Sequence, residues 1–256
     1  VRRDLFLAID VGTGSCRAAL VDREGRIPAI AHREHEQIVP RHGWSEQRPA
    51  DWWEGTVESI RAVLAQVPGA ADRVAALCSC GQMHGAVLVD AEGRLTRETA
   101  PLWNDKRTGA QVERFAAAAE ALALTANAPA PAWPAFKLQW LMEHDPRGVE
   151  RAAHLLMPKD WINLNLTGQI AQDVTEASLS YLMDWRTRDW SPRMIALTGV
   201  PGRLLPTLRT PGEVLGPLTA QAAGLTGLSA GLPVLVGAGD YPMALLGSGV
   251  LAPGTG

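Results

Sequence analysis

Two carboxylates stand out because each closes an apolar run. Leu5-Phe6-Leu7-Ala8-Ile9 delivers Asp10 to the turn Val11-Gly12-Thr13-Gly14-Ser15, and Leu232-Pro233-Val234-Leu235-Val236 delivers Asp240 through Gly237-Ala238-Gly239. A carboxylate at the end of a strand suits two tasks: holding a divalent cation through water, or taking a proton from a hydroxyl. Around Asp10 the glycines permit close approach of backbone amides to an anion, Thr13 and Ser15 add hydroxyl donors, and Arg17 adds a fixed positive charge. The same residues also describe an ordinary glycine hairpin. The chain has no G-x-x-x-x-G-K-[ST] loop, and the dinucleotide signature fails because Arg17 occupies its third glycine position. Asp240 has two readings as well. It is a good N-cap for a helix beginning Tyr241-Pro242, or it faces a pocket where the helix N-terminus keeps it ionised.

A third group follows the apolar run Val74-Ala75-Ala76-Leu77-Cys78-Ser79-Cys80, which ends in Gly81-Gln82-Met83-His84-Gly85. Ligands gather at the carboxyl ends of strands in open α/β sheets, so this segment is a candidate site wall, although a lone histidine is more often structural. Trp103, Asn104 and Asp105 follow another short run; Asn104 and Asp105 serve a pocket or simply cap a helix. His32, Glu34 and Glu36 alternate with Arg33 and His35, so a strand splits them between two faces, and a solvated edge strand is preferred to a metal site.

The elements that position these residues alternate between strand and helix, which points to α/β. Leu5 to Val21 reads as a hairpin and Arg26 to Gln37 as a polar third strand. Pro40 to Pro49 is expected to be a polar loop, followed by a helix over Asp51 to Val67 with Asp51 as N-cap and Trp53, Val57, Ile60 and Leu64 as its core stripe. Pairing of the Val74–Cys80 run parallel to the first strand across that helix is natural. A helix is expected over Gln111 to Leu124, a loop over Ala126 to Pro134, and a helix from Phe136 that stops before Pro146. Another helix follows Pro158-Lys159-Asp160 and closes at Thr167-Gly168. Asp173 to Ser178 reads as a polar bend, Ser191-Pro192 opens a helix ending near Gly199, and Pro201 to Pro217 reads as an irregular connection with room for a short strand.

At 256 residues the chain has enough length for one large domain or two small ones, at ~150 residues per domain. A net charge of −3 gives no electrostatic footprint for nucleic acid or for an anionic membrane. The opening Val1-Arg2-Arg3-Asp4 and the short apolar run after it do not form a leader, and no stretch reaches the ~18 apolar residues of a membrane span. Cys16, Cys78 and Cys80 make neither a C-x-x-C pair nor a disulfide framework, so buried free thiols and a cytoplasmic location are expected.

Taken in order, Ile9-Asp10-Val11-Gly12-Thr13-Gly14, Trp44-Ser45-Glu46-Gln47 before Trp52-Trp53, Gly81-Gln82-Met83-His84-Gly85, Leu102-Trp103-Asn104-Asp105-Lys106-Arg107, Pro158-Lys159-Asp160 and Gly237-Ala238-Gly239-Asp240 resemble the FGGY carbohydrate kinase family, its xylulokinase branch most closely. Each motif is weak alone; the ordered set is specific. The resemblance implies an actin-like, ribonuclease H-like domain with a mixed sheet flanked by helices, the first of two that close over sugar and ATP. It implies Asp240 as the general base on the sugar hydroxyl and Asp10 as the carboxylate organising Mg2+. Thr13, Gly14 and Arg17 would then face the ATP phosphates. Met83 and His84 match the sugar-contacting pair of xylulokinases, where glycerol kinases carry Arg-Glu, and Trp103, Asn104 and Asp105 line or brace the same pocket.

Phosphorylation of a ketopentose, D-xylulose first, is therefore the expected reaction, with another small sugar or polyol, or a sugar-binding module without catalysis, as alternatives. An actin-like assembly or chaperone ATPase sharing the fold is a weaker one. Tyr241 departs from the family, whose xylulokinases usually carry Asn there; if its ring enters the pocket, the sugar changes. The sequence stops at Gly254-Thr255-Gly256, ahead of the family's second, nucleotide-binding domain, so little kinase activity is expected of this piece alone. The partner expected is a small-molecule sugar, and a homodimer stays open.

Overall fold

Buried Leu5, Leu7, Ile9 and Val11 alternate with more open Phe6, Ala8 and Asp10, which makes Leu5–Val11 (β1) a strand with one face in the core. In the computed structural model, which describes residues 3–252 with 254 and 255, Ser15–Asp22 (β2) returns antiparallel and sets Asp10 opposite Arg17. Val1, Arg2, Pro253 and Gly256, and with them part of the opening tetrapeptide and of the terminal Gly-Thr-Gly, lie outside the described residues. Ala29–Glu34 (β3) adds the outer edge of the sheet with mostly exposed side chains, shorter than the span from Arg26 to Gln37. Among the described residues no group of three or more His, Cys, Asp or Glu is arranged to hold a metal ion.

The helix Pro49–Gln66 (α1) starts before Asp51, which lies in its first turn; Arg48 is the N-cap and contributes no side-chain bond. Its buried face is Trp52, Gly55, Thr56, Ser59, Ile60 and Val63, not the stripe through Trp53 and Leu64. The cause is close contact with β2. A Cβ at Gly55 would stand 3.4 Å from the Cys16 Cβ, and Ser59 Oγ donates to the Cys16 carbonyl at 3.0 Å. Small residues let the helix lie against the strand, and this rotates the purely apolar stripe partly out of the core.

Val74–Gly81 (β4) then pairs parallel to β1, with α1 in the connection between them. Three later strands, Val214–Pro217 (β5), Pro233–Leu235 (β6) and Ala238–Gly239 (β7), complete a seven-stranded mixed sheet in the order β5-β6-β4-β1-β2-β3, with β7 also against β4. The main core fills the space between these strands and α1 together with Pro158–Thr167, where Ile162 and Leu166 are buried.

Several local expectations are corrected. The stretch from Gln111 to Leu124 forms two short helices, Gly109–Glu113 and Ala119–Thr125, because the chain turns between them to bury Phe115 against Phe136 and Tyr181 at ring distances of 5.4 and 5.9 Å. Ser45, Glu46 and Gln47 are buried, and Glu46–Gln47 pairs with Ala100–Pro101, so the loop before α1 is not simply polar and exposed. The connection after Pro201 does contain a short strand, and that strand is the sheet edge β5. The Asp173–Ser178 segment is no bend but a helix, Val174–Ser178, capped by the Asp173 side chain. All three cysteines are free, Cys16 buried and the other two half-buried. No helix among the described residues is long and apolar enough to cross a membrane.

Candidate active site

Three strand ends converge. β4 lies between β1 and β7 in register, with Cys80 opposite both Asp10 and Ala238, and Gly81 opposite both Val11 and Gly239. Asp10, the Gln82-Met83-His84 segment and Asp240 therefore emerge at one edge of the sheet. Two glycines make this possible. At Gly237 (φ +74°) a Cβ would fall 1.8 Å from the Ser79 carbonyl oxygen, so nothing larger fits. At Gly239 a Cβ would fall 2.7 Å from Met83 Cγ and Sδ, so the Met83 side chain occupies the space a larger residue needs.

On the β1–β2 side, Arg17 Nη1 donates to Asp10 Oδ2 at 2.8 Å, and Cys80 Sγ donates to Asp10 Oδ1 at 3.8 Å. Burial and the Asp10 charge push the Cys80 thiol far up, so it stays protonated beside the carboxylate. The turn is closed by Gly12 N–H donating to the Ser15 carbonyl at 3.0 Å, and a Cβ on exposed Gly14 would meet nothing within 4 Å. Thr13 is tied down more tightly than a free phosphate donor. Its hydroxyl accepts from Trp103 Nε1 at 2.9 Å and donates to Gln82 Oε1 at 3.3 Å, while its carbonyl accepts from Gln47 Nε2 at 2.6 Å. Gln47 Oε1 in turn accepts from Gln82 Nε2 at 2.9 Å and from Trp52 Nε1 at 3.0 Å. The turn and the Gln82-Met83-His84 wall thus share one hydrogen-bond network.

His84 sits in the left-handed region at φ +67°, strained for a non-glycine residue. Its carbonyl accepts from Lys137 Nζ at 2.6 Å, and its ring meets Trp133 edge-on at 5.0 Å. The buried Nδ1 has no hydrogen-bond partner among the described residues. Burial, reinforced by the nearby Lys137 charge, pushes the imidazole down to about 3, so it is a neutral hydrogen-bonding group. Asn104 also carries a buried oxygen, Oδ1, with no hydrogen-bond partner among the described residues. Two unsatisfied polar atoms on neighbouring segments are what a hydroxylated ligand would satisfy. Asp105 is different. Fully buried, it accepts from Ser45 N at 2.7 Å and from Arg107 Nε and Nη2 at 2.9 and 2.7 Å, so it braces the loop and caps no helix. Arg107 is itself held over the Trp44 ring at 3.9 Å.

Asp240 opens the helix Asp240–Gly247, but Gly239 is the N-cap, and the Asp240 carboxylate accepts from the adjacent Tyr241 N–H at 2.7 Å. Burial raises this carboxyl above its ordinary range, the Tyr241 amide opposes the rise, and the Asp10 charge adds to it. The net direction is opposite to what the helix N-terminus alone would give. A half-buried carboxyl made more basic is suited to accepting a proton. Tyr241 points outward at 64% exposure.

Residues outside the expected set lie directly behind Asp240. Lys159, Asp160, Asp173 and Glu176 are all buried, and Lys159 Nζ pairs with Asp160 and, at 2.8 Å, with Asp173 Oδ2. The signal for part of this was present in the sequence: Asp173-Val174-Thr175-Glu176 has the spacing of a helix-capping box.

The N-terminal domain model of the FGGY family of carbohydrate kinases matches residues 5–247. The chain belongs to the FGGY family of carbohydrate kinases. Among curated relatives of this FGGY chain, xylulose kinase of Escherichia coli K12 is 32% identical over 248 residues, which is 96% of this chain and 50% of that protein. The autoinducer-2 kinase of Yersinia enterocolitica is 31% identical over 264 residues, covering 98% of this chain and 48% of that protein. The crystal structure of xylulose kinase from Rhodospirillum rubrum superposes with a TM-score of 0.92 at 30% identity, over 97% of this chain and 51% of that one. The FGGY chain thus has the actin-like α/β domain that its motifs implied, and it spans about half the length of the relatives it matches.

Proposed function

We propose that this FGGY domain is the sugar-holding, base-bearing half of an ATP-dependent carbohydrate kinase acting on a small acyclic sugar, a ketopentose such as D-xylulose first. The observation that carries the reading is the convergence of Asp10 and Asp240 at one sheet edge, with the Met83-His84 wall between their strands. Phosphoryl transfer asks a protein for position, charge neutralisation and exclusion of water more than for covalent chemistry. The two carboxylates divide that work. Asp240, raised by burial, takes the proton of the attacking hydroxyl. Asp10 is a hard oxygen donor beside Arg17, a set that fits Mg2+ held through water and a phosphate held by the guanidinium. Bound ATP with its magnesium would supply the phosphoryl group and neutralise its charge. Met83, neutral His84, Asn104 and Trp103 orient the sugar, with Asp105 holding the loop that carries them.

A second substrate reading has a specific basis. Autoinducer-2 kinases match at 31–32% identity, level with the xylulose kinase of Escherichia coli, so another hydroxylated small molecule competes with xylulose for this pocket. Outward-facing Tyr241 leaves the choice to the other wall residues.

The test is sugar-dependent ADP release by the full-length protein and its Asp240→Asn variant over a panel of pentuloses, polyols and autoinducer-2. Loss of about 10²–10⁴ in turnover with sugar binding retained is the expected result. Unchanged turnover removes Asp240 from the role of base. This 256-residue chain alone is expected to release little ADP.

A further inference from the structure

The charges behind Asp240 are costly and need an account. One ammonium and three carboxyl groups, on Lys159, Asp160, Asp173 and Glu176, are each no more than 2% exposed. Ion pairs this deep add little net stability, because desolvation offsets their attraction. Among the described residues neither Glu176 carboxyl oxygen has a hydrogen-bond partner, and burial, with the Asp173 charge beside it, drives this carboxyl well above its ordinary range. Lys159 is left shared between Asp160 and Asp173.

This cluster reaches the candidate base through Thr175. Asp173 Oδ1 accepts from the Thr175 and Glu176 amides at 2.8 and 3.2 Å and also from the Thr175 hydroxyl. That hydroxyl oxygen accepts in turn from the N–H of Gly239, at 3.3 Å. Gly239 is the residue before Asp240. The other restraint on Asp240 is the short pairing of β7 with β4: β7 is two residues long, Gly237 precedes it, and the helix that Asp240 opens has no buried residue.

We propose that Lys159, Asp173 and Thr175 form a positioning chain for Asp240. The Lys159–Asp173 pair fixes the direction of the Thr175 hydroxyl, and that hydroxyl pins the Gly239 amide and so the starting point of the Asp240 side chain. This supplies by hydrogen bonding the rigidity that a two-residue strand between glycines lacks. The inference rests on Asp240 being the base.

The experiment compares Thr175→Val, which keeps the volume and removes the hydroxyl, with Thr175→Ser, which restores it, in the full-length protein. Steady-state kinetics with the best sugar and melting temperatures are measured beside Asp240→Asn. Thr175→Val is expected to lower kcat about ten- to hundredfold with the sugar KM changed less than about threefold, while Thr175→Ser stays within about threefold of the parent. An equal loss in both variants, or a raised KM at unchanged kcat, overturns the proposal. If Asp240→Asn is inactive while Thr175→Val keeps full kcat, the positioning chain is wrong and the base assignment stands. If Asp240→Asn turns over normally, the base reading fails and the chain has no target.

Discussion

Lys137 Nζ donates to the His84 carbonyl at 2.6 Å, fixing from below a histidine whose backbone is left-handed at φ +67°. The same ammonium donates to the Ala132 carbonyl at 2.7 Å, so one side chain joins the segment after β4 to the loop ahead of Pro134–His144. Burial pushes this lysine down to about 7 from its ordinary 10.5. Between those values the unfolded chain binds a proton that the folded chain has released, so Lys137 makes stability rise with pH across that window. Lys137→Met removes the slope and leaves two carbonyls unpaired, at about 1–3 kcal/mol each. Thermal melts at pH 7 and pH 9.5 check this: the deficit of the variant should be larger at the higher pH.

His84 invites the opposite comparison. A left-handed backbone costs a side-chain-bearing residue roughly 1 kcal/mol relative to glycine. His84→Gly is therefore expected to be more stable than His84→Ala by about that amount. Because the imidazole titrates near 3 when folded and 6.5 when unfolded, its contribution to stability is present above pH 6.5 and is lost as pH falls toward 3. Melting curves of the parent and both variants at pH 7 and pH 4.5 test both statements, and equal stability of the Gly and Ala variants would show that no strain is held there.

Glu176→Gln is expected to stabilise the chain at neutral pH. The folded carboxyl lies well above its ordinary 4.5, so the folded state holds a proton that the unfolded state has lost, and parent stability falls as pH rises past that value. The slope removed is at most about 1.4 kcal/mol per pH unit. Near pH 4.5 the two proteins should melt together, and at pH 8 the variant should melt higher. A variant less stable at every pH would mean that Glu176 is ionised and paired.

Trp103 and Thr13 should act as a unit. The indole N–H donates to the Thr13 hydroxyl at 2.9 Å, although the ring is 45% exposed. A double-mutant cycle with Trp103→Phe and Thr13→Val should give a coupling of about 0.5–1 kcal/mol in unfolding free energy. Additive effects would show that the bond contributes nothing in solution.

The sheet was legible because its signals are local. Alternation in Leu5–Val11, the glycine turn and the apolar run before Gly81 specify a hairpin and a parallel neighbour with little help from the rest of the chain. The motif residues Asp10, Met83, His84 and Asp240 were legible for the same reason: each sits where a strand stops. Long-range features were not. The α1 face turned on Gly55 and Ser59 packing against Cys16, a contact that no helical periodicity encodes. Asp105, expected to line or brace a pocket or to cap a helix, braces its loop through Ser45, a partner 60 residues away that it meets only after folding. Asp173 and Glu176 looked like solvated bend residues because burying two carboxyls beside a lysine 14 residues or more away runs against their usual preference for water.

The space that Met83 takes from Gly239 has one more consequence. With the side chain only 2.7 Å from where a Cβ would be, residue 239 and residue 83 cannot change size independently. An Ala at 239 would force the Met83 thioether to move while leaving His84 and Asn104 themselves unchanged. Selection, or an engineer, can therefore reshape the surroundings of Asp240 from beneath, because a smaller residue at position 83 would leave room for a larger one at position 239.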